Sequence, residues 1–206
     1  MPLVYLRLKK LVWKSLCKVF TIVKMENFIM RIIAIGGEPG AGKTTLMKKL
    51  IERFEVQPEY NSFKLVPYLR KDNIYVLGKY EEGETFAGTD RMSMAVQPEA
   101  VKFLASLPSD SIVLYEGDRL FNTSFLEHCN ENYDLSIVYL KTDKTVRQER
   151  YKERGSNQNE TWLQGRETKV ANILTNMTLM FITEKYNNNN TEEQKLIFEE
   201  IVNMVR

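Results

Sequence analysis

Runs of consecutive apolar residues recur along the chain and predict buried strands. Four such runs have the length of a strand: 31–36, 74–78, 111–116 and 135–140. Runs that lack polar alternation are typical of strands covered on both faces. A weaker strand is expected at 63–66, where Pro67 limits it, and a short last strand is expected between 178 and 183.

Between these strands, apolar residues recur at intervals of three and four, which is the period of a helix with one buried face. The segment 44–54 places Leu46, Leu50, Ile51 and Phe54 in this way. Further helices are expected from Pro98 onward and over 144–154, 161–178 and 192–205. Strands that alternate with helices predict a three-layer α/β fold, with a central parallel sheet and ligands at the carboxyl ends of its strands.

The first 24 residues follow a different pattern, in which leucines and valines are interleaved with six basic residues and no acidic ones. A basic amphipathic helix at a membrane surface has this pattern. A simpler interpretation is that Met25 and Met30 precede the first strand, where folds of this kind usually begin. We therefore interpret 1–24 as an extension outside the fold and 25–206 as a single domain.

The composition is that of a globular protein, with 43% hydrophobic and 27% charged residues among 206. The net charge of +2 becomes −4 when residues 1–24 are set aside. A mildly acidic domain argues against a protein whose whole surface binds nucleic acid. No apolar run approaches the ~20 residues of a membrane span. Cys17, Cys129 and the single histidine, His128, do not suit a disulfide framework or a zinc cluster. A reducing, cytoplasmic compartment is therefore expected.

The most specific motif follows the first predicted strand. Residues 37–44 read G-E-P-G-A-G-K-T and fit the phosphate-binding pattern G-x-x-x-x-G-K-[ST], the P-loop. Its backbone N–H groups and the next helix N-terminus surround phosphates, its lysine reaches the β- and γ-phosphates, and its hydroxyl binds Mg²⁺. A chance glycine turn is the alternative, but the strand before and the helix after favour a P-loop. The predicted ATP-binding residues here are Gly37, Gly40, Ala41, Gly42, Lys43, Thr44 and Thr45.

Acidic residues follow the strand predicted at 111–116. Glu116 ends this strand and Asp118 lies two residues later, where a P-loop protein needs a carboxylate that holds Mg²⁺ or accepts a proton. Acidic residues that only mark a turn are the alternative. We predict a metal site formed by Thr44, Glu116 and Asp118, with Glu116 also a catalytic candidate and Arg119 a substrate-binding one.

Three arginines recur at helical spacing in the helix predicted over 144–154. Arg147, Arg150 and Arg154 lie three and four residues apart and share one face. Guanidinium groups bind phosphate oxygens and stabilise charge in a phosphoryl-transfer transition state. A solvated helix in which Glu149 and Glu153 pair with the arginines is equally open. We predict Arg147 and Arg150 as catalytic and Arg154 as ATP-binding residues, with Arg166 as a lesser candidate.

The polar, glycine-punctuated segment 80–94 follows a predicted strand and is expected to bind the acceptor, since such loops carry specificity. Asp90 could orient an acceptor hydroxyl, Arg91 could bind a phosphate, and Phe86 or Tyr80 could stack on a base. An ordinary surface loop is the alternative.

Together these motifs resemble the P-loop nucleoside and nucleotide kinases over most of residues 31–182. The run 83–91 also resembles small kinases of bacterial viruses, some of which phosphorylate 5-hydroxymethyluracil in DNA. The resemblance implies an arginine-bearing lid, ATP and Mg²⁺ as cofactors, and transfer of the γ-phosphoryl group to a nucleoside, a nucleotide or a hydroxymethylated base in DNA. It leaves the acceptor and the oligomeric state open.

Two other classes of P-loop protein remain as alternatives. A nucleotide-hydrolysing GTPase needs an N-K-x-D signature, which 141–143 does not supply. The second class is a regulator that binds a nucleotide without turnover. Such a protein would differ from a kinase because it would consume no ATP, whether or not acceptor compounds are added.

Overall fold

The computed structural model of the protein describes residues 29–59, 65–81, 87–153, 155 and 160–206. The described residues form seven strands and six α-helices. The strands are β1 (Arg31–Gly37), β2 (Gln57–Glu59), β3 (Tyr68–Lys71), β4 (Ile74–Leu77), β5 (Ile112–Glu116), β6 (Asp134–Lys141) and β7 (Thr183–Asn187). The helices are α1 (Lys43–Phe54), α2 (Gln97–Ser106), α3 (Thr123–Asn132), α4 (Lys144–Glu153), α5 (Glu160–Thr175) and α6 (Thr191–Val205).

All seven strands belong to one sheet with the order β2-β3-β4-β5-β1-β6-β7. Strands β4, β5, β1, β6 and β7 run parallel to one another. At one edge, β3 pairs antiparallel with β4, and β2 pairs antiparallel with β3. A two-residue turn with Asp72 at a φ of 52° joins β3 to β4, and left-handed backbone of this kind suits a tight hairpin. The prediction of a parallel sheet is confirmed for its centre, and the antiparallel edge makes the sheet mixed.

Alternate residues of β1 face two separate cores, which gives the fold its three layers. Ile32 and Ala34 pack on one face with side chains of α2, α3 and α5. Ile33 and Ile35 pack on the other face with side chains of α1 and α6. Because β1 is covered on both faces, its sequence shows no polar alternation. The α/β, three-layer prediction is therefore confirmed.

The elements differ from the predicted ones mainly at the sheet edges. The strand expected at 63–66 is wrong at Leu65 and Val66, which lie in a turn and bend before β3. The short strand expected at 178–183 is instead the 3₁₀ turn Leu179–Phe181, followed by β7. The Asn176 side chain accepts hydrogen bonds from the N–H groups of Thr178 and Leu179, which favours a helical turn there.

Three elements were not predicted at all: β2, β3 and α3. The edge strands mix polar and charged residues with few apolar ones, so they form no apolar run. Helix α3 buries only Phe125, Leu126 and Cys129, and the Asn122 side chain caps it by accepting from Phe125 N–H.

Several sequence expectations lie outside the described residues, namely those on 1–24, Phe63, Lys64, Phe86 and Arg154. In the part of the chain that the structure describes, no helix combines the length and the apolar character needed to cross a bilayer.

Candidate functional site

The loop between β1 and α1 has the backbone of an anion-binding turn. Gly40 and Gly42 adopt φ angles of 76° and 87°, which glycine reaches without strain. A Cβ atom on Gly42 would lie 2.7 Å from Asn188 Nδ2, so space also requires glycine there. No side chain caps α1, and its first-turn N–H groups are therefore available to an anion.

The Lys43 side chain folds back over this loop. Its ammonium group donates hydrogen bonds of 2.8 Å to Gly37 O and 3.1 Å to Glu38 O. The positive charge thus lies beside the loop in which the motif places phosphate oxygens.

The end of β5 faces the start of α1. Glu116 pairs in register with Ile35 of β1 and is 1% exposed. The Thr44 hydroxyl donates a 3.1 Å hydrogen bond to Glu116 Oε1. Burial raises the pKa of Glu116 to about 7; Asp90 and Asp118 add to the rise, while Lys43 and the Thr44 hydroxyl oppose it.

Gly88 lets a neighbouring segment approach this carboxylate closely. Gly88 has a φ of 68°, and a Cβ atom there would lie 2.5 Å from Glu116 Oε1. Backbone hydrogen bonds between Lys79 and Gly88 hold the segment in place. Because this close approach leaves no room for a Cβ atom, position 88 requires glycine, which explains this glycine of the segment 80–94.

Asp90 joins Glu116 in one acidic cluster. It lies in the 3₁₀ turn Thr89–Arg91, and its Oδ1 accepts a 2.6 Å hydrogen bond from Asp118 N–H. Burial raises the pKa of Asp90, as does the Asp118 charge, while that hydrogen bond and the charges of Lys43 and Arg119 lower it. The structure therefore places Asp90, Glu116 and Lys43 close enough for their charges to act on one another.

Tyr80 contributes a buried phenol to this cluster. Among the described residues its hydroxyl finds no hydrogen-bond partner. Burial, Glu116 and Asp90 together raise the pKa of Tyr80 well above its usual value. Its hydroxyl is buried near carboxylates, which differs from the base-stacking role expected of Tyr80.

The predicted metal ligands differ in their surroundings. Thr44 and Glu116 are in direct contact, whereas the Asp118 carboxylate forms a 2.9 Å ion pair with Arg166. Within the described ranges, no three acidic, histidine or cysteine side chains converge as a metal cage. Oxygen ligands from a hydroxyl and a carboxylate fit Mg²⁺, which binds few protein groups together with phosphates and water. Glu116 fits this role better than Asp118.

The two described arginines of α4 contact the loop and do not lie on a solvated face. Arg150 donates to Gly40 O at 3.1 Å, and to Asn188 O and Asn189 O at 3.0 and 3.3 Å. It therefore connects the P-loop to the turn between β7 and α6.

Arg147 is also buried and pairs with carboxylates from other elements. It lies 3.0 Å from Glu167 Oε1 and 3.8 Å from Glu38 Oε2. These partners differ from the ones expected for a solvated helix, which were Glu149 and Glu153 on the same helix. In this structure Arg147 joins α4, α5 and the P-loop.

The predicted acceptor residues lie beside the acidic cluster. Arg91 forms a 2.5 Å ion pair with Glu81, and Arg119 Nε donates to Met92 O at 3.3 Å.

Sequence reasoning missed Asn188, which is fully buried. Its Nδ2 donates a 2.6 Å hydrogen bond to Ala41 O, and Thr142 Oγ1 donates to Asn188 O. Asn188 stands in a run of four asparagines, which suggests only a loop. An asparagine directly after a strand that runs parallel to the P-loop strand was the available signal.

Comparison with known proteins gives a family for most of the chain. A family model described as P-loop Nucleotide Kinase3 matches residues 28–190. No curated protein matches the sequence.

Solved structures of two kinases are similar at low identity. A gluconokinase from Sinorhizobium meliloti 1021 is 14% identical, with 88% of this chain and 100% of that chain covered and a TM-score of 0.43. A shikimate kinase from Bacteroides thetaiotaomicron is 14% identical, with 85% of this chain and 98% of that chain covered and a TM-score of 0.45. The family description does not mention a viral kinase, so the likeness to kinases of bacterial viruses gains no support from it.

Proposed function

Because the chain belongs to the P-loop Nucleotide Kinase3 family, we propose that it is an ATP- and Mg²⁺-dependent kinase. The acceptor is a hydroxyl group of a nucleoside, a nucleotide or a nucleotide-like compound. The observation that carries the proposal is the 3.1 Å hydrogen bond from Thr44 Oγ1 to Glu116 Oε1. It joins the phosphate loop to a buried acidic cluster, which is where a kinase needs its metal and its acceptor.

In this proposal the P-loop residues Gly37 to Thr45 bind the triphosphate. Lys43 exchanges its two carbonyl partners for oxygens of the β- and γ-phosphates, a stronger interaction because both partners are charged. Mg²⁺, when bound, would neutralise charge on the phosphates and polarise the γ-phosphoryl group. Thr44 and Glu116 would hold it directly or through water.

Asp90 is the proposed proton acceptor. The acceptor hydroxyl oxygen bonds to the γ-phosphorus while the bond from that phosphorus to the ADP oxygen breaks, and the hydroxyl proton moves to the Asp90 carboxylate. Burial raises the pKa of Asp90, which makes its carboxylate a better base. Glu116 is less available because it is 1% exposed and is, together with Thr44, a proposed Mg²⁺ ligand.

The arginines of α4 would have two different roles. Arg150 positions the P-loop through Gly40 O, whereas Arg147 could turn from Glu38 and Glu167 toward transferring phosphate. Positive charge beyond one lysine and one metal is a general requirement of phosphoryl transfer.

Replacing Lys43 tests the proposal. Lys43→Ala is expected to lower ATP-dependent label transfer at least ~10²-fold, since it removes charge stabilisation in the transition state. The matched control is Lys48→Ala, because Lys48 lies exposed on the same helix. Circular dichroism and thermal unfolding would establish that both variants fold.

The assay also separates the other classes of P-loop protein. ATP consumption that no nucleoside, nucleotide or DNA acceptor increases would indicate hydrolysis and not a kinase. Transfer by a folded Lys43→Ala protein at the wild-type rate would refute the proposal.

A further inference from the structure

A short β-bridge fastens the segment after β4 to the acidic cluster. Lys79 N–H donates to Gly88 O at 3.2 Å, and Gly88 N–H donates to Lys79 O at 2.8 Å. The Lys79 side chain is exposed. Because successive side chains of extended backbone point to opposite sides, the side chain of Tyr80 turns inward. The bridge that brings Gly88 against Glu116 therefore also keeps Tyr80 within reach of the Glu116 charge.

The Tyr80 hydroxyl is an unused donor in this place. The ring packs against the core that α1 and α6 cover, and the hydroxyl is buried with no hydrogen-bond partner among the described residues. Burial raises the pKa of Tyr80 well above its usual value, and Glu116 and then Asp90 raise it further. The hydroxyl therefore keeps its proton and can donate it to a carboxylate. A buried hydroxyl without a partner costs stability, which a role in the ligand-bound protein would explain.

The Glu116 carboxylate has a use for such a donor. A carboxylate that holds a metal is kept in orientation by hydrogen bonds from the groups around it, and a buried charge is stable only when it is hydrogen-bonded. Glu116 is 1% exposed, and the Thr44 hydroxyl supplies one donor at 3.1 Å. The Gly88 backbone packs against the same carboxylate, but its N–H is already donated to Lys79 O. The Tyr80 hydroxyl is the neighbouring donor that is not otherwise used.

We propose that Tyr80 is a positioning residue for Mg²⁺, whose hydroxyl donates to the Glu116 carboxylate in the nucleotide-bound protein and holds that carboxylate toward the metal. This inference rests on the proposed function, in which Thr44 and Glu116 hold Mg²⁺. It gives Tyr80 a role through Glu116, in place of the base-stacking role expected from the sequence.

The experiment measures how much Mg²⁺ improves nucleotide binding. Calorimetry gives the dissociation constant of the non-hydrolysable analogue β,γ-imido-ATP with Mg²⁺ and with EDTA, and we call the ratio of the two constants the Mg²⁺ advantage. Tyr80→Phe is expected to reduce the Mg²⁺ advantage about tenfold, the loss that follows removal of a hydrogen bond to a charged group. The dissociation constant measured with EDTA should stay unchanged, since Glu116 then holds no metal.

Thermal unfolding of the ligand-free protein should show no matching loss. Because the Tyr80 hydroxyl has no partner there among the described residues, Tyr80→Phe should keep or raise the melting temperature. Tyr115→Phe is the matched control, since it also removes a buried hydroxyl without a partner in the described part of the chain. Tyr115 lies in the core on the other face of the sheet, where burial and Cys129 raise its pKa. Tyr115→Phe should therefore leave the Mg²⁺ advantage at the wild-type value.

Three results for Tyr80→Phe would overturn the inference: a Mg²⁺ advantage equal to that of the wild type, an equal weakening of binding with Mg²⁺ and with EDTA, or loss of the cooperative unfolding transition. The last would show that the hydroxyl serves the fold itself. A raised KM for the acceptor with an unchanged Mg²⁺ advantage would assign the hydroxyl to the acceptor instead. A wild-type protein without any Mg²⁺ advantage would refute the proposed metal site and this inference with it, whereas an advantage that Tyr80→Phe retains refutes the inference alone.

Discussion

At the scale of single residues, Glu116 makes the stability of the protein depend on pH. Its pKa in the folded, ligand-free protein is about 7, against an ordinary value of 4.5. Between these values the folded state binds a proton that the unfolded state has released, so stability falls as pH rises from about 5 to 8. The change is on the order of 3 kcal/mol, and Asp90 adds to it because its pKa is also raised.

Urea unfolding at pH 5 and pH 8 measures this effect. Glu116→Gln keeps the shape of the side chain and removes its titration, so the difference between the two pH values should shrink relative to wild type. Glu131→Gln, on α3 and exposed, is a suitable control. An equal pH dependence in wild type and Glu116→Gln would show that Glu116 is ionised throughout.

Gly36 is a second residue whose substitution has a predictable outcome. A Cβ atom at Gly36 would lie 1.8 Å from Phe121 Cζ, whereas one at Gly165 on α5 would meet nothing within 4 Å. Gly36→Ala should therefore destabilise the protein by about 1–3 kcal/mol through overpacking. Gly165→Ala should stabilise it by about 0.5–1 kcal/mol, since alanine favours a helix. The same chemical change thus has opposite signs, which denaturant titration measures; stabilisation by Gly36→Ala would contradict the packing described here.

At the scale of elements, Arg150 connects α4, the P-loop and the turn after β7. Arg150→Lys keeps the positive charge but loses the planar guanidinium group, which donates hydrogen bonds to several carbonyl oxygens at once. We expect the KM for ATP to rise about tenfold with a smaller change in kcat, because a positioning residue acts mainly on the bound loop. Arg53→Lys, at an exposed position of α1, controls for the substitution. A fall in kcat alone would instead indicate that Arg150 contacts the transferring phosphate.

The elements of the site could be predicted to different extents. The order of strand, glycine loop and helix identifies Lys43 and Thr44 without a structure, because each element has a strong local signal. Glu116 was found at the end of an apolar strand, and Asp90 in the polar, glycine-punctuated segment 80–94. The partners of Arg147 could not be found, since Glu38 and Glu167 come from separate elements whose packing no local pattern encodes.

At the scale of the whole molecule, we propose that residues 25–206 fold without the extension. The family match begins at residue 28 and β1 begins at Arg31. Deleting residues 1–24 should leave the melting temperature within about 2 °C, the shift that less than 1 kcal/mol produces in a chain of this size. ATP-dependent transfer should also persist. Loss of the cooperative thermal transition would show that the extension belongs to the folded domain.

The central strands of the fold were predictable, whereas its margins were not. Strands β1, β4, β5 and β6 are apolar because both faces are covered. The last strand was expected too early, at 178–183, because β7 (Thr183–Asn187) is only partly buried and forms no apolar run. Its partners in the sheet, and not its own sequence, make it a strand: β7 pairs with β6 from Ile137 to Lys141.

The hydrogen bond from Asn188 Nδ2 to Ala41 O has a consequence for biosynthesis. It joins two residues that are 147 positions apart in the chain. During translation the P-loop leaves the ribosome long before the strand that supports it, and contacts of such sequence separation form late. A growing chain that stops before Asn188 therefore cannot complete the loop, so retention on immobilised ATP would distinguish full-length molecules from prematurely terminated ones.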